Sequence, residues 1–134
     1  MFTNGVFDLL HVGHIRCLKD ARSRGDYLVV GVNSDASVKT FKNPKLPIQK
    51  LEERMEILAA LRYVDYVIGF DDTTCAGLIE TIKPSIVAKG TDYTEDTIPE
   101  KDVIEAVGAQ IAIVGDPKDH ATSKLITRIR RLKF

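Results

Sequence analysis

The sequence predicts an α/β fold with one parallel sheet of about five strands and helices on both of its faces. Short apolar runs rich in β-branched residues alternate along the chain with stretches of helical periodicity, the pattern of repeated β-α units. The runs are apolar throughout, as expected for strands covered on both faces. The length of 134 residues suits one domain, predicted over residues 1–134.

Each predicted strand is short and is followed by turn residues. The first is a stub before the turn at Asn4 and Gly5, and the second ends at Asn33. The predicted strands cover residues 2–4, 27–33, 64–69, 85–89 and 110–114. Parallel sheets of this kind bind ligands outside the carboxyl ends of their strands, so the residues that follow each strand are the candidates for a site.

The helices are predicted from apolar spacing and from the residues that end them. In the first helix, Ile15 and Leu18 follow helical spacing and Gly25 ends it, while Gly108 ends a later helix. The predicted helices cover residues 13–24, 51–61, 100–107 and 123–132, and one more runs to residue 82 from a cap at Thr73 or Thr74. No helix is predicted between residues 33 and 51.

The composition argues against several classes of function. Lys+Arg and Asp+Glu both number 19, so broad binding to nucleic acid or a membrane surface, which depends on positive charge, is not expected. Cys17 and Cys75 make neither a disulfide framework nor a zinc site, and predict reduced thiols. No run has the length of a membrane span and no cationic-apolar leader opens the chain, so we expect a cytoplasmic protein.

Two histidines stand at the predicted start of the first helix. His11 and His14 are three positions apart with Gly13 between them. The N–H groups of a helix N-terminus favour anions, above all phosphate, and Gly13 would allow a close approach to the backbone. The imidazoles could stabilise charge that develops in a transition state. Two ordinary histidines, or part of a metal site without clear further ligands, are the alternatives.

These residues belong to a longer pattern that resembles the cytidylyltransferase-like nucleotidyltransferases, whose signature is His-x-Gly-His. Residues 3–14, Thr-Asn-Gly-Val-Phe-Asp-Leu-Leu-His-Val-Gly-His, carry most of it. Further similarity to the bacterial heptose-phosphate adenylyltransferase type lies in residues 33–35, 47–48, 53–54, 63–67 and 89–93. The resemblance implies a Rossmann-like, doubly wound sheet and transfer of a nucleotidyl group from an NTP to a sugar or polyol phosphate. Pyrophosphate would leave, and Mg²⁺ would accompany the NTP.

The resemblance also implies roles for individual residues. His11, His14 and Lys42 would be catalytic, with Lys42 in a loop after the second strand; a solvated loop lysine is its alternative. The residues implied in nucleotide binding are Thr3, Asn4, Gly5, Phe7, Gly13, Lys89, Gly90, Asp92, Thr122 and Ser123.

Two residues are implied in binding of the phosphorylated acceptor. Asp8 falls at the signature aspartate, and its alternative is a carboxylate that stabilises a turn. Arg54 matches a family arginine that holds the substrate phosphate or braces the site. An ion pair on the helix surface with Glu53 or Glu56 is the alternative for Arg54.

The chain departs from the family pattern in its last motif. Relatives carry Ile/Tyr-Ser-Thr-Thr where this chain has His-Ala-Thr-Ser, so Ala121 replaces one of three hydroxyls and Thr122 and Ser123 remain. Either remaining hydroxyl could also cap the last helix. Asp116 stands where the glycerol-phosphate type has an arginine, which favours the heptose type, and His120 has no assigned role.

The first strand is a second departure, because relatives carry more residues before the turn that follows it. It is therefore expected either to pair over two or three residues or to begin upstream of Met1. The sequence does not distinguish these alternatives.

Three functions remain as alternatives. The leading prediction is an enzyme that uses ATP and a sugar phosphate such as heptose 1-phosphate. The second is a CTP-dependent enzyme that acts on glycerol 3-phosphate or another polyol phosphate. The third is a catalytically weak nucleotide-binding module. A fragment of an aminoacyl-tRNA synthetase shares the signature but fits the neutral charge poorly. A homodimer is implied by the resemblance.

Overall fold

A parallel five-stranded sheet forms the centre of the protein in the computed structural model, which describes residues 1–116 and 120–132. The strand order is β3-β2-β1-β4-β5. The strands are β1 (Phe2–Gly5), β2 (Val29–Asn33), β3 (Tyr66–Phe70), β4 (Ile86–Gly90) and β5 (Gln110–Val114). All four strand pairs are parallel, so the predicted doubly wound sheet is confirmed.

Helices follow the strands along the described chain. The helices are α1 (Val12–Ser23), α2 (Asp35–Phe41), α3 (Leu51–Ala59), α4 (Ala76–Ile82), α5 (Lys101–Ala106) and α6 (Thr122–Arg131), with a short 3₁₀ turn at Glu95–Thr97. The five predicted helices are present with ends that differ by a few residues. The predicted cap of α4 at Thr73 or Thr74 is wrong, because Cys75 is the N-cap and makes no side-chain cap bond.

Helix α2 is absent from the sequence prediction. Its seven residues are too few to show an apolar stripe, and only Ser37 and Val38 in it are buried. Ser34 begins the helix, because its side chain accepts a hydrogen bond from the N–H of Ser37 at 3.2 Å. Lys42, predicted in a loop, is therefore the C-cap of this helix.

The order of the strands reverses between β1 and β4. The chain proceeds from β1 to β2 and β3 on one side, and then crosses to β4 and β5 on the other. β1 pairs with β2 over four residues, Phe2–Gly5, which is more than the expected two or three. The register of β1 with β4 contains a single pair, Phe2 opposite Val87. The carboxyl ends of these two strands therefore border the crevice in which such sheets bind ligands.

Two apolar cores lie on opposite faces of the sheet. Leu18 of α1 and Leu58 of α3 pack with Val30 and Val32 of β2 on one face. On the other face, α4 and α5 pack against Phe2 and Val87. Because successive side chains of a strand point to opposite faces, neighbouring residues such as Val87 and Ala88 enter different cores.

Gly115, directly after β5, has a left-handed backbone with φ of +90°. A Cβ at this position would lie 3.3 Å from the Cα of Cys17 in α1. Gly115 also donates its N–H to Asp20 Oδ2 at 2.9 Å, which joins α1 to the end of β5. The glycine is therefore needed both for its backbone conformation and for the close approach of the helix.

We expect Gly115→Ala to destabilise the fold more than Gly108→Ala. Gly108 has φ of +76° but open space around a Cβ, so alanine there costs about 1 kcal/mol for the left-handed backbone alone. At Gly115 the contact with Cys17 adds to this cost. Urea denaturation of both variants measures the difference, and equal losses would show that the approach of α1 does not restrict the site.

Candidate active site

A cleft of about 760 Å³ opens at the carboxyl edge of the sheet, above the crevice between β1 and β4. This volume is in the range of pockets that hold small-molecule ligands. All but one of the residues implied by the resemblance line the cleft, namely Thr3, Asn4, Gly5, Phe7, Asp8, His11, Gly13, His14, Lys42, Lys89, Gly90, Asp92, Thr122 and Ser123. Arg54 is the residue that does not.

The two signature histidines form a reciprocal cap at the start of α1. His11 Nδ1 accepts a hydrogen bond from the N–H of Gly13 at 3.1 Å, and His14 Nδ1 accepts one from the N–H of His11 at 3.2 Å. Their ring centroids lie 3.9 Å apart. Because Nδ1 acts as an acceptor in both rings, the neutral imidazoles carry their proton on Nε2. The cap thus fixes two imidazole donors side by side on the cleft wall.

Gly13 is required by the close packing of this cap. A Cβ on Gly13 would lie 3.0 Å from the His11 ring and 3.1 Å from the Cβ of His120. His120, to which the sequence assigned no role, is a third imidazole of the cleft, with its ring centroid 6.2 Å from that of His11. The side chains of His11 and His120 therefore lie close to Gly13 at the start of α1.

The turn after β1 supplies another wall of the cleft. Thr3 is buried and donates its hydroxyl to the carbonyl of Ala88 at 2.9 Å, across the β1–β4 crevice. Phe7 has a left-handed backbone with φ of 53°, and its ring centroid lies 5.5 Å from that of His14. Gly5 leaves room for this ring, since a Cβ there would lie 3.0 Å from it. The turn is thus packed against the histidines.

Asp8 is a buried carboxylate that holds a neighbouring loop. Its two oxygens accept hydrogen bonds from the backbone N–H groups of Ile48 at 2.6 Å and Gln49 at 3.1 Å. The carboxylate is 5% exposed and lines the cleft. In this structure Asp8 stabilises a turn, the alternative considered for it from sequence.

Arg54 lies behind the cleft. Its guanidinium is fully buried and donates to the carbonyls of Gln49 and Val6 at 3.0 and 2.7 Å. It also forms an ion pair with Asp35 Oδ1 at 2.8 Å. These bonds join the loop before α3 to the turn after β1 and to α2. The geometry therefore supports the bracing alternative for Arg54, with Asp35 as its partner instead of Glu53 or Glu56.

The start of α6 contacts the first turn through a hydroxyl. Thr122 Oγ1 donates to the carbonyl of Asp8 at 2.7 Å. Ala121 is the N-cap and makes no side-chain cap bond, so neither Thr122 nor Ser123 caps the helix as the sequence allowed. Ser123 is exposed at the edge of the cleft.

The remaining implied residues lie at the rim. Lys42 is exposed and borders the cleft from the end of α2. Gly90 ends β4, and a Cβ there would lie 3.1 Å from Asp92 Oδ1, so the strand end and the following turn are close together. Asp116 forms an ion pair with Arg16 at 2.9 Å, and its carbonyl accepts a hydrogen bond from the Thr91 hydroxyl.

A buried ion pair lies at the floor of the cleft. Lys89 and Glu100 have side-chain exposures of 6% and 5%, and the Lys89 Nζ lies 3.2 Å from Glu100 Oε2. Burial raises the pKa of Glu100, but the Lys89 ammonium and the hydrogen bond from Cys75 outweigh this effect and hold the pKa below its ordinary value. Burial raises the pKa of the Cys75 thiol to about 12, an effect that Lys89 opposes and Glu100 reinforces. The pair is thus charged, and Cys75 is a neutral donor.

The sequence analysis missed Glu100, which lines the cleft, and Cys75, which contacts Glu100. Cys75 was interpreted only as a reduced thiol, and Glu100 only as the start of a helix. Neither residue lies in the signature, and their contact with Lys89 joins positions 14 and 11 residues away along the chain. The one available signal was a carboxylate that follows Pro99 close to the Lys-Gly-Thr-Asp-Tyr segment.

Among the described residues, no group of three or more His, Cys, Asp or Glu side chains is arranged to hold a metal ion. The cleft carboxylates are instead engaged with protein groups, as Asp8 and Glu100 show. Within the same residues, no helix is long and apolar enough to cross a membrane.

A parallel sheet with imidazoles and a helix N-terminus at its switch point defines an α/β protein whose cleft favours an anionic ligand such as a phosphate. Residues 2–130 match the cytidylyltransferase-like family. The chain therefore belongs to that family of nucleotidyltransferase enzymes, and the resemblance inferred from sequence is confirmed.

Curated relatives and a solved structure are similar to the chain over most of its length. It is 48% identical over 131 residues to the bifunctional protein HldE of Geobacter metallireducens. The matched region covers 98% of this chain and 27% of that protein. It is 41% identical over 130 residues to HldE of Pseudomonas fluorescens, with coverages of 97% and 27%. The chain thus spans about a quarter of the length of these relatives.

The solved structure is a lipopolysaccharide core biosynthesis protein from Thermoplasma volcanium, with a TM-score of 0.73 and 28% identity. The match covers 87% of this chain and 96% of that one. It has the same fold, so the predicted Rossmann-like fold class is confirmed.

We expect Asp8→Asn to loosen residues 43–50. The amide presents only one acceptor to the N–H groups of Ile48 and Gln49, so the variant loses about 2 kcal/mol of stability, as for a hydrogen bond to a charged group. Hydrogen exchange of those two amides measures the effect directly. Asp26→Asn, at an exposed position, is the control. Unchanged exchange in Asp8→Asn would show that the carboxylate does not hold the loop.

Proposed function

We propose that the protein transfers a nucleotidyl group from an NTP, with ATP as the first choice, to a sugar phosphate such as heptose 1-phosphate. Pyrophosphate is the second product. The observation that carries the proposal is the pair of imidazoles that cap α1, those of His11 and His14. Their ring centroids lie 3.9 Å apart, in a cleft large enough for a nucleotide. No covalent intermediate with the protein is needed for this reaction.

In the proposed reaction, an oxygen of the acceptor phosphate attacks the α-phosphorus and the bond to pyrophosphate breaks. Negative charge builds up on the phosphoryl oxygens, and donors that are already oriented stabilise it at no cost of reorganisation. The Nε2 protons of His11 and His14 would serve this purpose, because the cap holds Nδ1 of each ring on the backbone. Lys42 at the rim would add positive charge from the opposite side.

The nucleotide would lie along the carboxyl edge of β1 and β4. Thr3, Asn4 and Gly5 of β1 and the segment with Lys89, Gly90 and Asp92 border that edge. Thr122 and Ser123 would contact the phosphates from the start of α6. We propose that Mg²⁺ enters as part of the substrate, bound to the triphosphate.

The acceptor is the less constrained part of the proposal. The resemblance to the heptose-phosphate type, the relatives called HldE and the neighbour named for lipopolysaccharide core biosynthesis support a sugar phosphate. Asp116 stands where the glycerol-phosphate type carries an arginine, and it forms an ion pair with Arg16. CTP with a polyol phosphate is the second candidate, and a weak nucleotide-binding module is the third, favoured only by Ala121. The cytoplasmic location stays a prediction.

The test is pyrophosphate release with Mg²⁺, measured for the four NTPs against a panel of phosphorylated sugars and polyols. We expect release with ATP and heptose 1-phosphate. Release with CTP and glycerol 3-phosphate would establish the second candidate instead. Tight NTP binding without release from any acceptor would contradict the proposed activity and favour the binding module.

For the active combination, we expect His14→Ala to lower kcat by about 10²–10³-fold, the loss that follows removal of one transition-state donor. His14→Asn separates the two roles of the ring, because the amide oxygen can accept the His11 N–H but supplies no imidazole donor. We expect His14→Asn to be more stable than His14→Ala but to have the same low activity. Thr81→Ala, on the exposed side of α4, is the control. Activity in His14→Asn close to that of the parent protein would limit His14 to the cap.

We also propose that the chain forms a homodimer. β3 is an edge strand with Tyr66 62% exposed, and the equally exposed Tyr27 lies beside it with ring centroids 6.5 Å apart. Sedimentation velocity of the parent protein should give a dimer, and Tyr66→Lys should shift it toward monomer if β3 lies in the interface. A parent protein that sediments as a monomer across micromolar concentrations would refute the proposal.

A further inference from the structure

The crevice between β1 and β4 is held together at its carboxyl end by side chains. The backbone register of these strands contains the pair Phe2 opposite Val87, near the start of β1. Further along, Lys89 Nζ donates to Asn4 Oδ1 at 2.7 Å, beyond the Thr3–Ala88 hydrogen bond. Lys89 therefore connects the carboxyl ends of β1 and β4, where the strand order reverses.

Lys89 is buried, so its charge needs compensation inside the protein. Asn4 supplies a neutral acceptor, and the ring centroid of Tyr93 lies 5.8 Å from Nζ. Glu100 supplies the charge, with Oε2 at 3.2 Å. That oxygen is buried and has no hydrogen-bond partner among the described residues, so its compensation is the electrostatic contact with the ammonium.

The other carboxylate oxygen is oriented by α4. Cys75 Sγ, at the N-cap of α4, donates to Glu100 Oε1 at 3.3 Å. The Cys75 thiol thus donates to the Glu100 carboxylate, and the Lys89 ammonium donates to Asn4 Oδ1 and, at 4.0 Å, to Cys75 Sγ. Because Asn4 Oδ1 accepts the hydrogen bond from Lys89, the orientation of the whole Asn4 amide, including its NH₂ group, is fixed.

From this arrangement we propose that Glu100 is a positioning residue for the nucleotide site. It holds the Lys89 ammonium at the carboxyl ends of β1 and β4, and through Lys89 it fixes the orientation of the Asn4 amide. Glu100 does not touch the reacting atoms. The inference rests on the proposed function, in which Lys89 and Asn4 contact the nucleotide, and adds a residue that lies outside the family signature.

A double-mutant cycle tests this role. The parent protein, Glu100→Gln, Lys89→Met and the double variant are titrated calorimetrically with MgATP and, separately, with MgCTP. If Glu100 acts through Lys89, each single variant weakens binding of the preferred nucleotide by about tenfold, and the double variant binds within about twofold of Lys89→Met. Losses that multiply in the double variant would overturn the inference, because Glu100 would then act independently of Lys89.

Controls separate this role from a general loss of structure. Glu105→Gln removes an exposed carboxylate from the same helix and should bind as the parent does. Circular dichroism and thermal unfolding identify variants that do not fold. If Glu100→Gln is one of them, Glu100→Asp keeps the charge but shortens its reach, and we expect it to fold and to bind several-fold more weakly. Parent-like affinity in Glu100→Asp would then overturn the inference.

The two proposals fail in different ways. A parent protein that binds none of the NTPs would refute the proposed function, whatever Glu100 does. A parent protein that binds ATP or CTP, together with a folded Glu100→Gln that binds equally well, would leave the proposed function intact and refute the positioning role.

Discussion

The reversal of strand order between β1 and β4 is the constraint on which the rest of the structure depends. A strand inside a parallel sheet forms its backbone hydrogen bonds with the strands on either side. Here β1 pairs with β2 over its whole length, but its register with β4 contains the single pair at Phe2. The carboxyl ends of β1 and β4 are thus connected by side-chain hydrogen bonds. The cleft, its buried ion pair and the turn that carries the signature all lie at this gap.

Several polar residues that line the cleft also hold parts of the fold together. The imidazoles of His11 and His14 accept N–H groups at a helix start, and Asp8 accepts the N–H groups of a loop. Thr122 joins the start of α6 to the first turn. In the proposed reaction, such bonds would restrict the rotamers of the side chains before a ligand arrives, lower the entropic cost of binding and keep donors aligned with the charge that develops later. The same bonds also make these positions sensitive to substitution for structural reasons, so variants need stability controls.

Buried charge at the floor of the cleft and behind it is balanced locally. Lys89 is buried beside Glu100, and Arg54 is buried beside Asp35, so each cation has a carboxylate partner. Removal of one member of a buried pair is costly because the other is left uncompensated. The two cations nevertheless differ in what they can do. Lys89 lines the cleft, whereas Arg54 lies behind it and joins loops.

The alternation of apolar runs and helical stretches by itself determined the α/β class, the five strands and five of the helices, because burial on two faces leaves a pattern in local sequence. The signature with His11, Gly13 and His14 likewise marked the start of α1 at the cleft, since its residues are neighbours in the chain. α2 escaped detection because seven residues carry too little periodicity. The hydrogen-bond partners of Asp8 and Arg54 depend on the tertiary structure, because those partners lie far away along the chain. The contact of Glu100 and Cys75 with Lys89 depends on where α4 and α5 pack against the sheet, and no local pattern specifies that packing.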